Sequence, residues 1–508
     1  MKNLLTARQL RETEAYMIKH QDMSEIELML DAIDAFVQDF RVEFPDRKAR
    51  LIVLCGPGHN GGDGLGIAVS LSNWAYNNLT VYISDFHDTL HSEAYDYFLS
   101  ELIETQSDYT PPFDIVMLDD PAKLDIGQGD ILIDALFGTG LNRPLRGQYA
   151  ALAERINAAE KTVVAVDVPS GFLTEGPIAE PYTGIKADLV ITFQRPKLNF
   201  LFPESVRAMQ DFKVVDIGLS DDFMDALPSD WKWLTIDAMP SLLKKRRPFS
   251  HKGTYGHALL LAGSEDRLGA GLLAAQACLK AGAGLITLCT PESGFQAVYS
   301  RTPEVMLHPR TPAPSVEQMA ACAALGIGPG LGLGAEEMEL LSRVLQARRP
   351  TVFDADALTL LAQVPEYLAA IPENSILTPH VKEFDRLFGA HASGLDRIET
   401  ARKIAREKQI VIVLKNRYTF ICLPSGEVAT NSSGDPAMAS GGMGDVLSGI
   451  LVALLAQGYE AGTAAMAGVF LHGQAGEDLA KKHAVVTASQ VADQLPKVWR
   501  KALTLKIE

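Results

Sequence analysis

Cysteine is scarce in this chain, with five in 508 residues, an odd number spread from Cys55 to Cys422. Most lie inside apolar runs such as 51–55 and 285–289, so a disulfide scaffold is excluded and buried thiols in a reducing compartment are expected. Positive charge is short as well. Lys plus Arg number 46 against 63 Asp plus Glu, a net charge of −17 that disfavours nucleic acid and anionic membrane surfaces. The strongest basic run, Lys244-Lys245-Arg246-Arg247, ends at Pro248 and reads as a solvated linker. No apolar run approaches the roughly 18 residues of a membrane span, and residues 1–15 lack the apolar core of a signal peptide. A cytoplasmic protein with small-molecule partners, no nucleic acid and no membrane is expected, assembled as a homo-oligomer.

What is present is an ordinary globular composition, 47% hydrophobic and 21% charged. At roughly 150 residues per domain the length allows two or three domains. Short apolar runs alternate with helical patterns: 50–55, 80–84, 130–134, 162–167 and 188–193, then a second series at 258–262, 285–289, 323–327, 351–353, 375–377 and 410–414. Continuous apolar strands separated by helices imply an α/β fold, with a parallel sheet covered on both faces, and the pattern occurs twice. Residues 219–240 sustain neither period and mark the boundary: a first domain over 1–220, a linker over 221–236 and a second domain over 237–508. Residues 7–40 read as two amphipathic helices, and core packing or a subunit contact both suit Leu28, Met29, Ile33 and Phe36.

The run 51–55 leads into Gly56-Pro57-Gly58-His59-Asn60-Gly61-Gly62-Asp63-Gly64 and then a helix. A strand, a glycine-rich turn and a helix start aim backbone N–H groups and a positive dipole end at one point, which suits phosphate. Residues 56–61 satisfy G-x-G-x-x-G, and Asp85 follows the next strand, as a dinucleotide fold requires. Any one such turn needs glycine for its backbone alone. More polar groups fall at neighbouring strand ends: Asp134 with Gly138-Thr139-Gly140-Leu141, and Asp167 with Ser170. Asn60, Asp134, Asp167 and Ser170 supply hard oxygen donors suited to an alkali or alkaline-earth cation.

In the second half, Ala439-Ser440-Gly441-Gly442-Met443-Gly444-Asp445 places small residues before a helix whose first turn carries a carboxylate. An N-cap alone accounts for Asp445 but not for the glycines, and the combination suits phosphoryl transfer. Lys415-Asn416-Arg417-Tyr418-Thr419 follows a strand, where a lysine balances nucleotide phosphate. Thr378-Pro379-His380 and the glycine loop 326–332 also fall at strand ends, 424–427 reads as a hairpin turn, and Asp354 and Asp356 offer a place for Mg2+.

HNGGDG, DALFGTGL, VDVPSG and ITFQRPK over residues 1–218, and KGTYGH, GPGLG, LTPHVKEF, LKNRYT and SGGMGDVLSG over residues 237–508, resemble the bifunctional NAD(P)H-hydrate repair enzymes. That resemblance implies an N-terminal Rossmann-like epimerase that interconverts the R and S hydrates of NADH and NADPH. It also implies a C-terminal ribokinase-like dehydratase that returns the S hydrate to NAD(P)H with ADP, as in bacterial members, or ATP, with Mg2+. Carried over, His59, Asn60, Gly61, Gly62, Asp63 and Gly138, Thr139, Gly140, Leu141, Asn142, Arg143, Pro144 would hold the hydrate at the first site. Asp167 would meet the damaged ring as acid or base, and Asn60, Asp134 and Ser170 would hold potassium. At the second site Ala270, Gly330, His380 and Asp445 would contact the hydrate, with Asp445 as the base. Lys415, Asn416, Arg417, Tyr418, Thr419 and Gly444 would contact the nucleotide. The competing reading is a vitamin-pathway kinase with a non-catalytic N-terminal ligand-binding domain; a NAD-dependent dehydrogenase would leave the second glycine loop without a role.

Overall fold

The computed structural model describes residues 1–21, 23–86, 90–108, 113–127 and 129–505. The chain divides into two compact units, Leu4–Ser229 and, together, Met1–Asn3 with Asp230–Glu508. Residues 221–236 are not a bare linker. Asp221–Ala226 is a helix capped by Ser220, and Trp231–Leu234 is a strand, so the chain passes from one unit to the other between Ser229 and Asp230.

The first unit is built on seven parallel strands in the spatial order Asp114–Met117, Leu79–Ile83, Leu51–Cys55, Ile131–Ala135, Thr162–Val166, Ala187–Phe193 and Met209–Val215. Along Leu51–Cys55 every residue is buried because helices cover both faces. Val53 and Cys55 join one apolar layer with Phe36, Phe40 and Leu65, while Ile52 and Leu54 join the other with Tyr149 and Leu152. The helices Ala7–His20 and Glu25–Glu43 each begin with a capping box, Thr6 with Gln9 and Ser24 with Glu27, which satisfies N–H groups the helix itself leaves free. Chain order runs outward in one direction from Leu51–Cys55 and in the other from Ile131–Ala135. Ligands bind outside the carboxyl ends of such a sheet at the point of reversal. The glycine turn 56–58 and the loop after Ala135 stand at that point.

The second unit repeats the device in a larger, mixed sheet. From one edge its strands are Met306–Pro309, Leu285–Thr290, His257–Leu261, Ala324–Ile327, Thr351–Phe353, Ile376–Leu377 and Val411–Leu414, all parallel. The antiparallel hairpin Phe420–Cys422 and Val428–Asn431 follows, then Trp231–Leu234 and Lys2–Asn3. Here the reversal falls between His257–Leu261 and Ala324–Ile327, where Gly263 N–H donates to Pro329 O at 2.8 Å. The helix Met443–Ala456 is buried continuously from Val446 to Ala456. It runs against Leu268–Lys280 at backbone distance: a Cβ on Gly449 would stand 2.1 Å from Ala274 O. Among the described residues no helix is long and apolar enough to cross a membrane. All five cysteines are buried and unpaired.

Candidate active sites

At the first switch point the turn is closed by backbone contact. A Cβ on Gly61 would lie 1.7 Å from Gly56 O, and one on Gly56 would lie 1.9 Å from Leu136 O, so glycine is obligatory at both. The helix His59–Asn73 starts at Gly58 without a side-chain cap, leaving its first N–H groups for a ligand. Above it opens a cleft of about 680 Å³, lined by Glu14, Gly58, His59, Asn60, Asp63 and Asp167 and by 136–141. That volume lies within the range of small-molecule sites, about 300–1,000 Å³.

Of the residues expected at this site, Gly61 and Gly62 are buried in the turn rather than in the lining, and the lining ends at Leu141, with Asn142 and Arg143 exposed beyond it. Asp134 and Ser170 lie beneath the floor. Asp134 Oδ1 accepts from Ser170 Oγ at 2.7 Å and its Oδ2 from Ser170 N at 2.8 Å. Burial pushes the Asp134 carboxyl up to about 6, against the pull of those hydrogen bonds. Asn60, also buried, leaves its Nδ2 without a partner among the described residues. Asp85 faces His91 at 3.4 Å and stands outside the lining.

Asp167 holds a left-handed backbone, φ +61°, unusual for a residue with a side chain and characteristic of functional positions. Its Oδ1 accepts from Thr192 Oγ1 at 3.0 Å, Phe193 N at 3.1 Å and Lys197 Nζ at 2.7 Å. Two further carboxyls face it. Burial, then Asp167, raises the affinity of Glu14 for a proton; burial, then Asp167 and Glu14, raises that of Asp63 well above the usual range. Sequence reasoning missed Glu14 and Lys197. A single acid on an amphipathic helix and a single lysine after a strand carry no spacing signal, although Lys197 ends the quoted motif ITFQRPK.

At the second site Gly442 adopts φ +91° as the uncapped start of Met443–Ala456. Its left-handed turn brings Asp445 onto the first helical turn. Burial, then the Asp354 carboxylate, raises the Asp445 carboxyl to about 6, with Lys415 opposing. Four strand ends deliver the rest. Lys415 N–H donates to Pro379 O at 2.9 Å, which sets His380 beside Lys415. Lys415 Nζ lies 2.7 Å from Asp354 Oδ1, and Ser448 Oγ donates to Asp354 Oδ2 at 2.6 Å. A Cβ on Gly444 would sit 3.7 Å from both Lys415 Nζ and Asp354 Oδ2, so this loop, lysine and carboxylate adjoin. Gly330, with φ +56°, abuts Ala270: its Cβ would lie 2.9 Å from that of Ala270.

His380 is largely committed to its own helix, its Nδ1 accepting from Lys382 N and Glu383 N at 3.1 and 3.2 Å, with half of the side chain exposed. Asn416 and Arg417 are exposed, and Tyr418 packs against Trp233 with ring centroids 5.9 Å apart. Protein donors engage both of the carboxylates expected to offer a place for Mg2+. Asp354 is taken up by Lys415 and Ser448, and Asp356 Oδ2 accepts from Arg267 Nη1 at 3.0 Å and Gly332 N at 2.9 Å. His472, unnoticed in sequence, is half-buried beside the Met443 backbone, and desolvation of its ring lowers its pKa to about 4.

Residues 25–199 match the family described as YjeF-related protein N-terminus, and residues 258–497 match the NAD(P)H-hydrate dehydratase family. The chain is 34% identical to a bifunctional NAD(P)H-hydrate repair enzyme of Moorella thermoacetica, across 98% of this chain and 96% of that protein. It is 35% identical to the corresponding enzyme of Coxiella burnetii, across 94% of each. The second unit is similar to a ribokinase-like superfamily protein from Enterococcus faecalis, with TM-score 0.51 and 29% identity over 54% of this chain and 98% of that one. With two family models matched in sequence and relatives of that name matched along nearly the full length, the chain belongs to the bifunctional NAD(P)H-hydrate repair enzyme family.

Proposed function

We propose that the chain restores hydrated NADH and NADPH in two steps, an epimerisation in the first unit and a nucleotide-dependent dehydration of the S hydrate in the second. The observation that carries this reading is Asp445, a carboxyl raised to about 6 at an uncapped helix start that adjoins Lys415. A base in that range is ionised at neutral pH yet still strong enough to take a hydroxyl proton. As the hydrate oxygen attacks the terminal phosphorus of ADP or ATP, its proton passes to Asp445 and the remaining nucleotide leaves. Lys415 and the N–H groups of the first turn meet the charge on the transferred group. The ring-nitrogen lone pair then expels phosphate, and loss of a proton from the adjacent carbon restores the dihydronicotinamide. Asp354 and Asp356 are engaged by protein donors, so Mg2+ in this reading travels with the nucleotide phosphates and no step is assigned to it.

In the first unit Asp167 is the acid and base. It takes the proton of the hydrate hydroxyl while the carbon–nitrogen bond opens to an aldehyde, its electron pair going to the ring nitrogen. It then passes the proton to that nitrogen. After rotation about the neighbouring carbon–carbon bond the same transfers run backward and the hydroxyl re-forms on the other face. Potassium fits this buried donor set: Asp134 is wholly buried with no cationic partner among the described residues and bonds the Ser170 hydroxyl, and Asn60 Oδ1 stands close to Gly138 in the loop that follows the Asp134 strand. Asn60, Asp134 and Ser170 would hold it, and it would supply a fixed positive charge near the loop that cradles the hydrate.

The test supplies NADH hydrate with ADP and Mg2+ and follows absorbance in the reduced-nicotinamide band. Full return supports both activities, while a small-molecule kinase would give none. Replacing Asp445 removes all recovery, and replacing Asp167 leaves only the S fraction plus spontaneous epimerisation.

A further inference from the structure

We infer that Lys197 is a positioning residue for the epimerisation: it pins one oxygen of the Asp167 carboxylate so that the other serves the hydrate. The inference rests on the assignment of the first cleft as the epimerase site. Lys197 is 2% exposed, and its Nζ reaches Asp167 Oδ1 at 2.7 Å, Phe193 O at 3.1 Å and Arg195 O at 3.4 Å. The ammonium thus has three acceptors in a fixed frame and no access to solvent. It cannot swing away as a surface lysine does.

All three donors to Asp167 end on the same oxygen, Oδ1. Oδ2 takes no hydrogen bond among the described residues, and Asp167 lines the cleft. A carboxylate held this way has one oxygen for structure and one for chemistry. A buried ion pair of this kind adds little net stability, because desolvation offsets most of the attraction. What it does fix is charge and rotamer.

The electrostatic surroundings make the cation necessary. Asp167 is faced by Glu14, with Arg11 on the same helix, and by Asp63, with His59 on the same helix; Glu25 meets His59 at 2.7 Å. Three carboxyls share one partly dry cleft, and like charges there favour protonation of some of them. Lys197 is the cation in direct contact with Asp167, and it meets the carboxylate at the oxygen that the other donors also hold.

The experiment uses the full chain and R-enriched NADH hydrate with ADP and Mg2+, with spontaneous epimerisation subtracted. S-hydrate turnover in the same preparation reports the second unit. Lys197→Met and Lys197→Gln are expected to lower kcat for the R fraction on the order of 100-fold, with KM little changed. Lys197→Arg keeps the charge and a donor at that oxygen and should restore most of the lost kcat. The inference is overturned if the neutral variants hold wild-type kcat, if they raise KM as much as they lower kcat, or if the Arg variant loses as much kcat as Met does. Asp167→Asn separates the two ideas: if it turns over the R fraction normally, the site assignment itself is wrong. If it is inactive while Lys197→Met is active, only the positioning role falls.

Discussion

Lys415 and Asp354 form a 2.7 Å ion pair across the ends of two strands that flank Ile376–Leu377, with the carboxylate 2% exposed and the lysine side chain 23%. Burial alone would raise the Asp354 pKa, but Lys415 beside it and the hydrogen bonds from Lys415 and Ser448 hold it below the ordinary 3.8. A depressed carboxyl contributes stability above its unfolded value and loses it as pH falls through the folded one. Lys415→Met leaves that charge buried and unpaired, and should cost about 3 kcal/mol, since one partner is partly open to solvent. Adding Asp354→Asn to Lys415→Met should return most of the loss. Denaturant unfolding of the single and double variants at neutral pH measures the coupling; additive losses would mean that the pair is not the stabilising unit.

If Asp445 is the base of the proposed dehydration, it should give that step its pH dependence. Its carboxyl is raised to about 6, and the base is the ionised form, so kcat for the S hydrate should climb as pH rises through about 6 and level off above it. Asp445→Asn should lower the rate on the order of 10²- to 10⁴-fold and remove that limb. Single-turnover rates between pH 5 and 8 settle it. A flat profile in the wild-type chain assigns the proton to another group.

What the sequence exposed and what it hid have the same physical cause. Strands buried on both faces are continuous apolar runs, so 51–55 and 285–290 are plain, and the glycine turns beside them announce tight backbone contact. The edge strands Asp114–Met117 and Met209–Val215 are largely exposed or half-buried and leave no such run. Trp231–Leu234 passes for linker because its partners, Val428–Asn431 and Lys2–Asn3, lie some two hundred residues away. The same distance blinds the reading of charge. Asp354 looks like a metal ligand until Lys415 is folded onto it, and Glu14 looks solvated until its helix covers Asp167. Asp134, Asp167 and Ser170 were visible in the sequence because they stand at the ends of two apolar strands, Asp134 in Ile131–Ala135 and the other two just after Thr162–Val166.

Potassium should act through Asp134. The wholly buried carboxylate has no cationic partner among the described residues, so KCl should raise both the melting temperature of the first unit and the rate of R-hydrate turnover relative to choline chloride at equal ionic strength. Asp134→Asn should abolish the difference between the salts. Equal rates in the two salts for the wild-type chain would remove potassium from the site.

The glycine turn at 56–61 separates stability from chemistry in a single comparison. A methyl on Gly61 would stand 1.7 Å from Gly56 O, a backbone atom that moves only with the strand, whereas a methyl on Gly58 meets nothing within 4 Å. Gly61→Ala should therefore cost at least the roughly 1–3 kcal/mol of an overpacked core. Gly58→Ala should cost much less, since only a weak N-cap preference is lost. Because the two units have separate cores, Gly61→Ala should lose R-hydrate turnover and the first unit's unfolding transition while S-hydrate dehydration persists. Calorimetry with both turnover assays on one preparation measures this, and equal melting of the two variants would show that the turn tolerates a Cβ the backbone geometry forbids.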